Sequence, residues 1–256
     1  MELARGALFA AYGLVFGSFL TVVVHRLPRG QSIVAPRSAC PRCGTPIRAV
    51  DNVPVFSYLL LRGRCRVCHT RISAEYPIVE ALTGALFVAV AAVFSDVVVA
   101  AVVAVFSGVL LGAALIDLRH RIIPNRLTYP SLLIFVVVIG VASFFTGLSL
   151  VRGLLGLLAF GGGLLLVALI SPRGMGMGDV KLGALIGLVL GALGWRYVAV
   201  AAMAAVLLGG FAAIGALIVG RGRKETIPFG PSLAAGAIVA ALMAPAVASW
   251  YLGLSG

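Results

Sequence analysis

Apolar segments of about 20 residues recur along most of this 256-residue chain, and they constrain its fold more than any other feature. A helix must have about that length to cross the hydrocarbon core of a bilayer. Hydrophobic residues make up 61% of the sequence and charged residues only 11%, which excludes an ordinary soluble domain. We predict an all-α polytopic membrane protein with about eight transmembrane helices. These are expected at residues 3–24, 77–95, 97–116, 127–145, 148–170, 180–194, 197–219 and 228–252.

The first and sixth segments carry more specific predictions. The first is followed by the basic sequence HRLPRG at residues 25–30 and has no small-residue cleavage site, which indicates a retained helix and not a cleaved signal peptide. The sixth is short, so it either begins near Asp179 or is a tilted or re-entrant segment. Its glycines at positions 183, 187 and 191 are spaced four apart, which predicts tight helix packing.

The basic residues are concentrated in alternate loops. Loops 25–76, 117–128, 171–181 and 220–226 contain 17 of the 20 lysine and arginine residues. Under the positive-inside rule these loops face the cytoplasm, and the N-terminus lies outside. The formal net charge of +12 therefore indicates membrane topology and not a nucleic-acid partner.

All four cysteines lie in the long polar loop 25–76. They form two CxxC pairs separated by 21 residues, namely Cys40 with Cys43 and Cys65 with Cys68. This spacing is typical of a zinc site in which four thiolates bind one metal tetrahedrally. Disulfides are the alternative, and a reducing cytoplasm disfavours them. Four protein ligands leave no open coordination position, so the predicted zinc is structural.

The histidines are weaker candidates. His69 follows the last cysteine and could replace it as a ligand, although we favour an exposed bystander. His25 and His120 lie beside arginines at the ends of predicted spans, where interfacial side chains are expected.

Most of the eight acidic residues lie at helix ends or in polar loops. Glu75 and Glu80 begin the second span, where negative charge suits a helix N-terminus, and contact with a substrate is the functional alternative. Asp117 and Asp179 differ because each lies where an apolar helix meets the predicted cytoplasmic interface. An ionisable group at membrane depth is costly, which indicates a functional role.

Asp117 and Asp179 are predicted to lie on the same side of the membrane. Two carboxyl groups that meet in a partly dehydrated site can share one proton near neutral pH. The ionised group then takes a proton from water while the protonated group polarises a carbonyl, as in aspartic proteases. Gly176 and Gly178, which precede Asp179, would let a second backbone approach closely.

Ion pairing is the simpler interpretation of these two acids. Asp117 would pair with Arg119 or Arg121, and Asp179 with Lys181. Spacing along the chain does not distinguish this arrangement from a catalytic pair.

Six sequence blocks form an ordered set that runs nearly end to end. They are GSFLTVVVHRLPRG (17–30), CPRCGTPIRAVDNVPVFSYLLLRGRCRVC (40–68), ISAEYPIVEALTG (72–84), ALIDLRHRIIPN (114–125), GMGMGDVKLGALIG (174–187) and IPFGPSLAAGAI (227–238). The set resembles the bacterial type IV prepilin peptidases, membrane-embedded aspartic proteases of the GxGD type. In that family the Asp that ends the third span and the Asp of GxGD are the catalytic pair. The resemblance therefore implies Asp117 and Asp179, with Gly176, Gly178 and Lys181 in the active-site loop.

The resemblance also implies an activity and a location. The expected reaction removes a short basic leader from prepilins or pseudopilins at the cytoplasmic face of the inner membrane, in service of type IV pili or type II secretion. Many members then methylate the new N-terminus with S-adenosylmethionine, and the tetracysteine loop matches those members. One departure is Thr21, where the family usually has Asn. The implied domains are a first helix (1–24), a zinc-binding loop domain (25–76) and a protease core (77–256).

Two other functions are compatible with parts of the pattern. A transporter would use Asp117 and Asp179 as proton or cation sites, although the two halves of the chain show no convincing inverted repeat. A non-catalytic assembly factor would use the zinc loop to bind a partner.

Overall fold

The computed structural model describes residues 2–171, 175–218 and 228–252. The predicted loop 220–226 and the first glycine of the GMGMGD motif, Gly174, lie outside the described residues. Within those three ranges the chain is helical and contains two isolated β-bridges but no β-strand. The predicted all-α class is therefore confirmed.

Ten α-helices occur in the described ranges. They are α1 (Glu2–Arg26), α2 (Phe56–Leu60), α3 (Glu75–Val93), α4 (Val97–His120), α5 (Asn125–Ala142), α6 (Leu150–Gly156), α7 (Gly162–Ile170), α8 (Met177–Leu193), α9 (Trp195–Ile218) and α10 (Gly230–Leu252). A π-helical turn, Leu157–Gly161, joins α6 to α7 into one continuous span.

The helices agree with the predicted membrane spans. Six helical segments in the described part of the chain are long and apolar enough to cross a membrane. Helices α8 and α10 account for the other two predicted spans. Helix α8 begins two residues before Asp179, which confirms the first of the two alternatives for the short sixth segment. The chain is a multi-pass membrane protein.

The chain divides into two compact units, Met1–Ala92 and Val93–Gly256. In the first unit, α1 packs against α3 through small residues. A Cβ on Gly13 would lie 2.8 Å from the Gly84 Cα, and a Cβ on Gly17 would lie 2.7 Å from the Glu80 Cα. Only glycine permits such close contact between helix backbones in a membrane protein. The polar loop between these two helices forms the rest of this unit.

In the second unit, α8 is the central helix, and most of its residues after Asp179 are buried. Its glycines contact the α6–α7 span, as their spacing predicts. A Cβ on Gly191 would lie 2.7 Å from the Arg152 carbonyl oxygen, and one on Gly187 would lie 2.9 Å from the Phe160 Cβ. The Leu164 and Phe160 side chains lie directly against Gly183. This packing holds the N-terminal end of α8, which carries Asp179, in a defined position.

Candidate functional site

The two CxxC pairs of the first unit have the same local backbone structure. In the first, the Cys40 N–H donates to the Thr45 carbonyl (3.0 Å), and the Gly44 N–H donates back to the Cys40 carbonyl (2.9 Å). The second pair repeats both bonds: the Cys65 N–H donates to the Thr70 carbonyl (2.9 Å), and the His69 N–H donates back to the Cys65 carbonyl (3.0 Å). His69 therefore corresponds to Gly44, and both residues have positive φ. His69 completes a turn in this arrangement.

The four cysteine sulfurs come together. The Sγ atoms of Cys40, Cys43, Cys65 and Cys68 all lie within 4.8 Å of one another. The Cys40 and Cys68 sulfurs are 3.7 Å apart. Four ligands at the usual Zn–S distance of about 2.3 Å would be about 3.8 Å apart at the corners of a tetrahedron. The donor set and its spacing thus fit a tetrahedral metal ion, and His69 is not part of the cluster.

Polar contacts support the thiol cluster. The Thr45 hydroxyl lies 3.3 Å from the Cys43 sulfur, and hydrogen bonding to the Thr45 side chain and backbone lowers the pKa of Cys43 to about 6. A thiolate is the form that binds metal. We call the two CxxC segments, residues 40–43 and 65–68, the first and second knuckles. Arg66 of the second knuckle makes a two-point ion pair with Asp51, with nitrogen–oxygen distances of 2.6 and 2.9 Å. The Arg66 guanidinium lowers the pKa of the Asp51 carboxyl.

Glu80 is buried in the first unit, with 7% of its surface exposed. Its Oε2 accepts a hydrogen bond from the Val55 backbone N–H at 2.7 Å. Val55 has φ 62° and ψ −51°, and the next amide, of Phe56, bonds to the Pro54 carbonyl at 2.6 Å. This is a γ-turn of the rare, strained type, centred on a β-branched residue. Glu80 thus holds a strained turn in the segment between the two knuckles.

Two other residues of interest lie in this unit. Glu75 is the first residue of α3 and is half-buried. Thr21 is buried in α1, and its hydroxyl donates to the Ser18 carbonyl at 2.7 Å. A hydrogen bond back to the preceding turn is a common way for a threonine to satisfy its hydroxyl inside a helix.

In the second unit, Asp117 lies one turn before the end of α4 and is 5% exposed. Its Oδ2 accepts a hydrogen bond from the Gly230 backbone N–H at 3.1 Å. Gly230 is the first residue of α10, so the N-terminal end of that helix points at the carboxylate. A Cβ at position 230 would lie 2.6 Å from the same oxygen. Glycine is therefore required for this approach.

Asp179 lies in the first turn of α8 and is half-buried. Its Oδ2 accepts a hydrogen bond from the Gly176 N–H at 3.3 Å, which caps the helix. The carboxylates of Asp117 and Asp179 are near enough to repel each other electrostatically. The fold thus brings together two acids that are 62 positions apart in the sequence.

The ion pairs offered as the simpler interpretation are not formed. In the described ranges, Asp117 bonds to the Gly230 amide and Asp179 to the Gly176 amide, and neither acid forms an ion pair with a basic residue. Lys181 points elsewhere: its Nζ donates to the Asn125 Oδ1 at 2.7 Å.

Two further contacts define the surroundings of the acids. Lys181 also lies over the Tyr129 ring, 4.9 Å from its centre, which ties α8 to the start of α5. Ile123, in the connection between α4 and α5, lies between two glycines. A Cβ on Gly178 would lie 3.0 Å from the Ile123 Cβ, and one on Gly230 would lie 3.2 Å from its Cδ1.

Sequence reasoning did not single out Gly230, Ile123, Asn125 or Tyr129. Gly230 lies in the quoted block IPFGPSLAAGAI, and a glycine at the start of the last apolar segment was the available signal. Its contact with Asp117 spans 113 positions in sequence, so no local pattern shows it.

The fold and the site define the class of this chain: a helical membrane protein that carries a tetrathiolate cluster and a pair of neighbouring carboxyls. Two family models match the chain. The Bacterial Peptidase A24 N-terminal domain matches residues 11–94, and the Type IV leader peptidase family matches residues 104–214. The chain belongs to the type IV leader peptidase family.

Relatives match over nearly the full chain. A protein named prepilin leader peptidase/N-methyltransferase from Aeromonas hydrophila is 34% identical over 98% of this chain and 97% of its own length. One of the same name from Bacillus subtilis (strain 168) is 35% identical over 95% and 96%. A third, from Burkholderia pseudomallei (strain K96243), is 36% identical over 88% and 81%. No solved structure matches the chain.

Proposed function

We propose that this protein is a membrane aspartic endopeptidase that removes the short basic leader from type IV prepilins or pseudopilins, and that it then methylates the new N-terminus. Membership of the leader peptidase family and the full-length relatives named prepilin leader peptidase/N-methyltransferase support both activities. The observation that carries the peptidase is the approach of Asp117 and Asp179 without a basic partner in the described part of the chain.

In the proposed mechanism the two carboxyls share one proton. The ionised carboxyl takes a proton from a water molecule, and the oxygen of that water attacks the scissile carbonyl carbon. The protonated carboxyl donates a hydrogen bond to the carbonyl oxygen. The C–N bond of the resulting tetrahedral intermediate then breaks, and the leaving amine receives a proton from a carboxyl. Asp117 and Asp179 are the residues to which we assign these roles.

The active-site loop would bind the substrate backbone. Gly176 and Gly178 carry no side chains, so an extended peptide can lie close to Asp179. Lys181, fixed by Asn125, would hold the first turn of α8 in place.

For the leader itself, Glu75 and Glu80 are the proposed acidic contacts. Glu75 is the more accessible of the two, because contact through Glu80 requires release of its bond to Val55. We place the acids and the tetracysteine loop at the cytoplasmic face of the inner membrane, since the basic loops follow the positive-inside rule.

Zinc is the proposed occupant of the tetrathiolate cluster. All four positions of a tetrahedral ion would be taken by Cys40, Cys43, Cys65 and Cys68, so its role would be to stabilise the loop fold.

Methyl transfer would use S-adenosylmethionine, which supplies the methyl group to the new N-terminal amine. Thr21 is the position at which this chain departs from the usual family pattern. Transfer of labelled methyl to processed pilin by wild-type protein tests whether Thr21 permits the second activity, and cleaved but unlabelled pilin would contradict it.

The peptidase is tested by cleavage of a membrane-inserted prepilin. We expect Asp117→Asn and Asp179→Asn to abolish cleavage without unfolding the protein. Asp96→Asn is the matched control, because Asp96 caps the opposite end of α4 by accepting bonds from Val98 and Val99, and Asn caps equally well. Wild-type cleavage by either active-site variant would refute the assignment.

The same variants separate the alternative functions. Loss of ion flux in place of cleavage would indicate a transporter, and loss of neither would indicate an assembly factor. The family assignment favours the peptidase over the transporter.

A further inference from the structure

Two buried hydroxyl groups in the described part of the chain have no hydrogen-bond partner, those of Ser107 in α4 and Thr128 in α5. Other helical hydroxyls bond back to the preceding turn: Ser131 donates to the Leu127 carbonyl (2.7 Å) and Thr83 to the Val79 carbonyl (2.7 Å). Leaving a buried hydroxyl unpaired is energetically costly, because the group loses its hydrogen bonds to water and gains none in return. The two exceptions therefore call for a physical reason.

Thr128 lies on the side of α5 that meets α8. Asn125 and Tyr129, one turn away and next to it, both contact Lys181 of α8. Residues three and four apart share one face of a helix. Thr128 is 1% exposed, so it is enclosed between the helices and does not face lipid.

The depth of Thr128 follows from a ring contact between α4 and α5. Phe106 and Phe135 pack edge to face, with ring centres 6.0 Å apart. Asp117 is 11 residues, about 16.5 Å, along α4 from Phe106, and Thr128 is seven residues, about 10.5 Å, along α5 from Phe135. Measured from this ring contact, the two residues therefore differ in depth by about one helical turn, and Thr128 is the nearer of the two to the rings.

The directions of the two side chains reduce this difference in depth between Asp117 and Thr128. Side chains on a helix lean toward its N-terminus. Helix α4 ends, and α5 begins, at the same end of the pair, since only residues 121–124 join them. The Asp117 side chain thus leans inward and the Thr128 side chain leans outward, toward each other. One carboxylate oxygen of Asp117 accepts the bond from Gly230, and Asp117 does not bond directly to the Thr128 hydroxyl.

We infer that Thr128 is a positioning residue whose hydroxyl helps to hold the water molecule that Asp117 and Asp179 activate. A buried water is held by two to four polar partners, and the two carboxyls with this hydroxyl provide three. The role rests on the proposed peptidase function. Ser107 lies ten residues before Asp117 on α4, about 15 Å away along the helix, and is given no such role.

The test compares four variants for prepilin cleavage and thermal unfolding. Thr128→Val keeps the shape but removes the hydroxyl, and we expect kcat to fall about 10- to 100-fold with KM little changed. Thr128→Ser should restore most of kcat. Ser131→Ala, one turn deeper on the same face, and Ser107→Ala, which removes the other unpaired hydroxyl, should both cleave as wild type.

Several results would overturn the inference: wild-type kcat in Thr128→Val, loss that serine does not restore, or an equal loss in Ser107→Ala. Thr128→Ala provides the same comparison if the valine variant does not accumulate. Failure of the proposed function itself is recognised separately, because Asp117→Asn would then cleave normally whatever the Thr128 variants do.

Discussion

The Gly230 amide and the Asp117 carboxylate are joined by a 3.1 Å hydrogen bond that leaves no space for a Cβ on the glycine. This contact connects the first residue of the last helix to the end of α4. It supplies both a donor and the positive end of a helix dipole to one carboxyl of the proposed catalytic pair.

Gly230→Ala is expected to lower kcat/KM for prepilin cleavage about 100-fold, because displacement of a reacting group by about 1 Å can cost that much. The added methyl would lie 2.6 Å from Asp117 Oδ2, so the carboxyl must move. Gly163→Ala is the control, since a Cβ there meets nothing within 4 Å. Equal activity of the two variants would show that the contact does not matter for catalysis.

Much of the second unit could be predicted from the sequence, because apolar length and glycine spacing are local properties. The position of Asp117 in the last turn of α4 and the start of α8 near Asp179 follow from where the apolar segments meet polar residues. The Gly230 contact could not be predicted in this way. It depends on the approach of two helix ends, which is decided by tertiary packing.

The first unit shows the same limit. Four cysteines in two CxxC pairs predict their own convergence, since a shared metal requires it. The γ-turn at Val55 has no such signal, because a β-branched residue is among the least expected at positive φ. Its stabiliser, Glu80, lies 25 positions away on α3.

Removing one thiol should release the metal. We expect Cys65→Ser to lower the bound zinc from about one ion per chain to a small fraction, and to speed amide hydrogen exchange in both knuckles. His69→Gly is the matched control, since it keeps the positive φ that Gly44 has in the first knuckle. Elemental analysis gives the metal content, and wild-type protein without zinc would contradict the proposed site.

The ion pair of Asp51 and Arg66 should make the second knuckle sensitive to acid. Arg66 lowers the pKa of Asp51 in the folded loop, so the pair stabilises the fold above the ordinary pKa of an aspartate, and this is lost as the pH falls through the lowered value. Because the Arg66 side chain of the pair is exposed to solvent, Asp51→Asn should speed exchange of the knuckle amides by only about two- to fivefold at neutral pH.

Exchange rates measured for wild type and Asp51→Asn from pH 7 downward provide the check. The difference between the two proteins should shrink as the pH falls, while both lose any metal-dependent protection together. A difference that stays constant down to pH 3 would contradict the role of the carboxylate charge.

Glu80 and Val55 should be energetically coupled. Loss of a buried bond to a charged group costs about 1.5–3 kcal/mol, so Glu80→Ala should destabilise the protein by about that amount. Val55→Gly removes the strain at positive φ, so the turn would depend less on the hydrogen bond that Glu80 accepts from residue 55. A double-mutant cycle by denaturant unfolding should give a coupling of about 0.5 kcal/mol or more, whereas strict additivity would exclude the proposed support.

Ile123 lies against both Gly178 and Gly230. Gly178 is next to Asp179 in the sequence, and Gly230 is hydrogen-bonded to Asp117. The four-residue connection between α4 and α5 therefore acts as a spacer between two helix ends. Its length and the bulk of the Ile123 side chain therefore act together with the packing of the long helices to set how far apart the two carboxyls stand. We therefore expect an insertion or a smaller residue in this connection to change that separation.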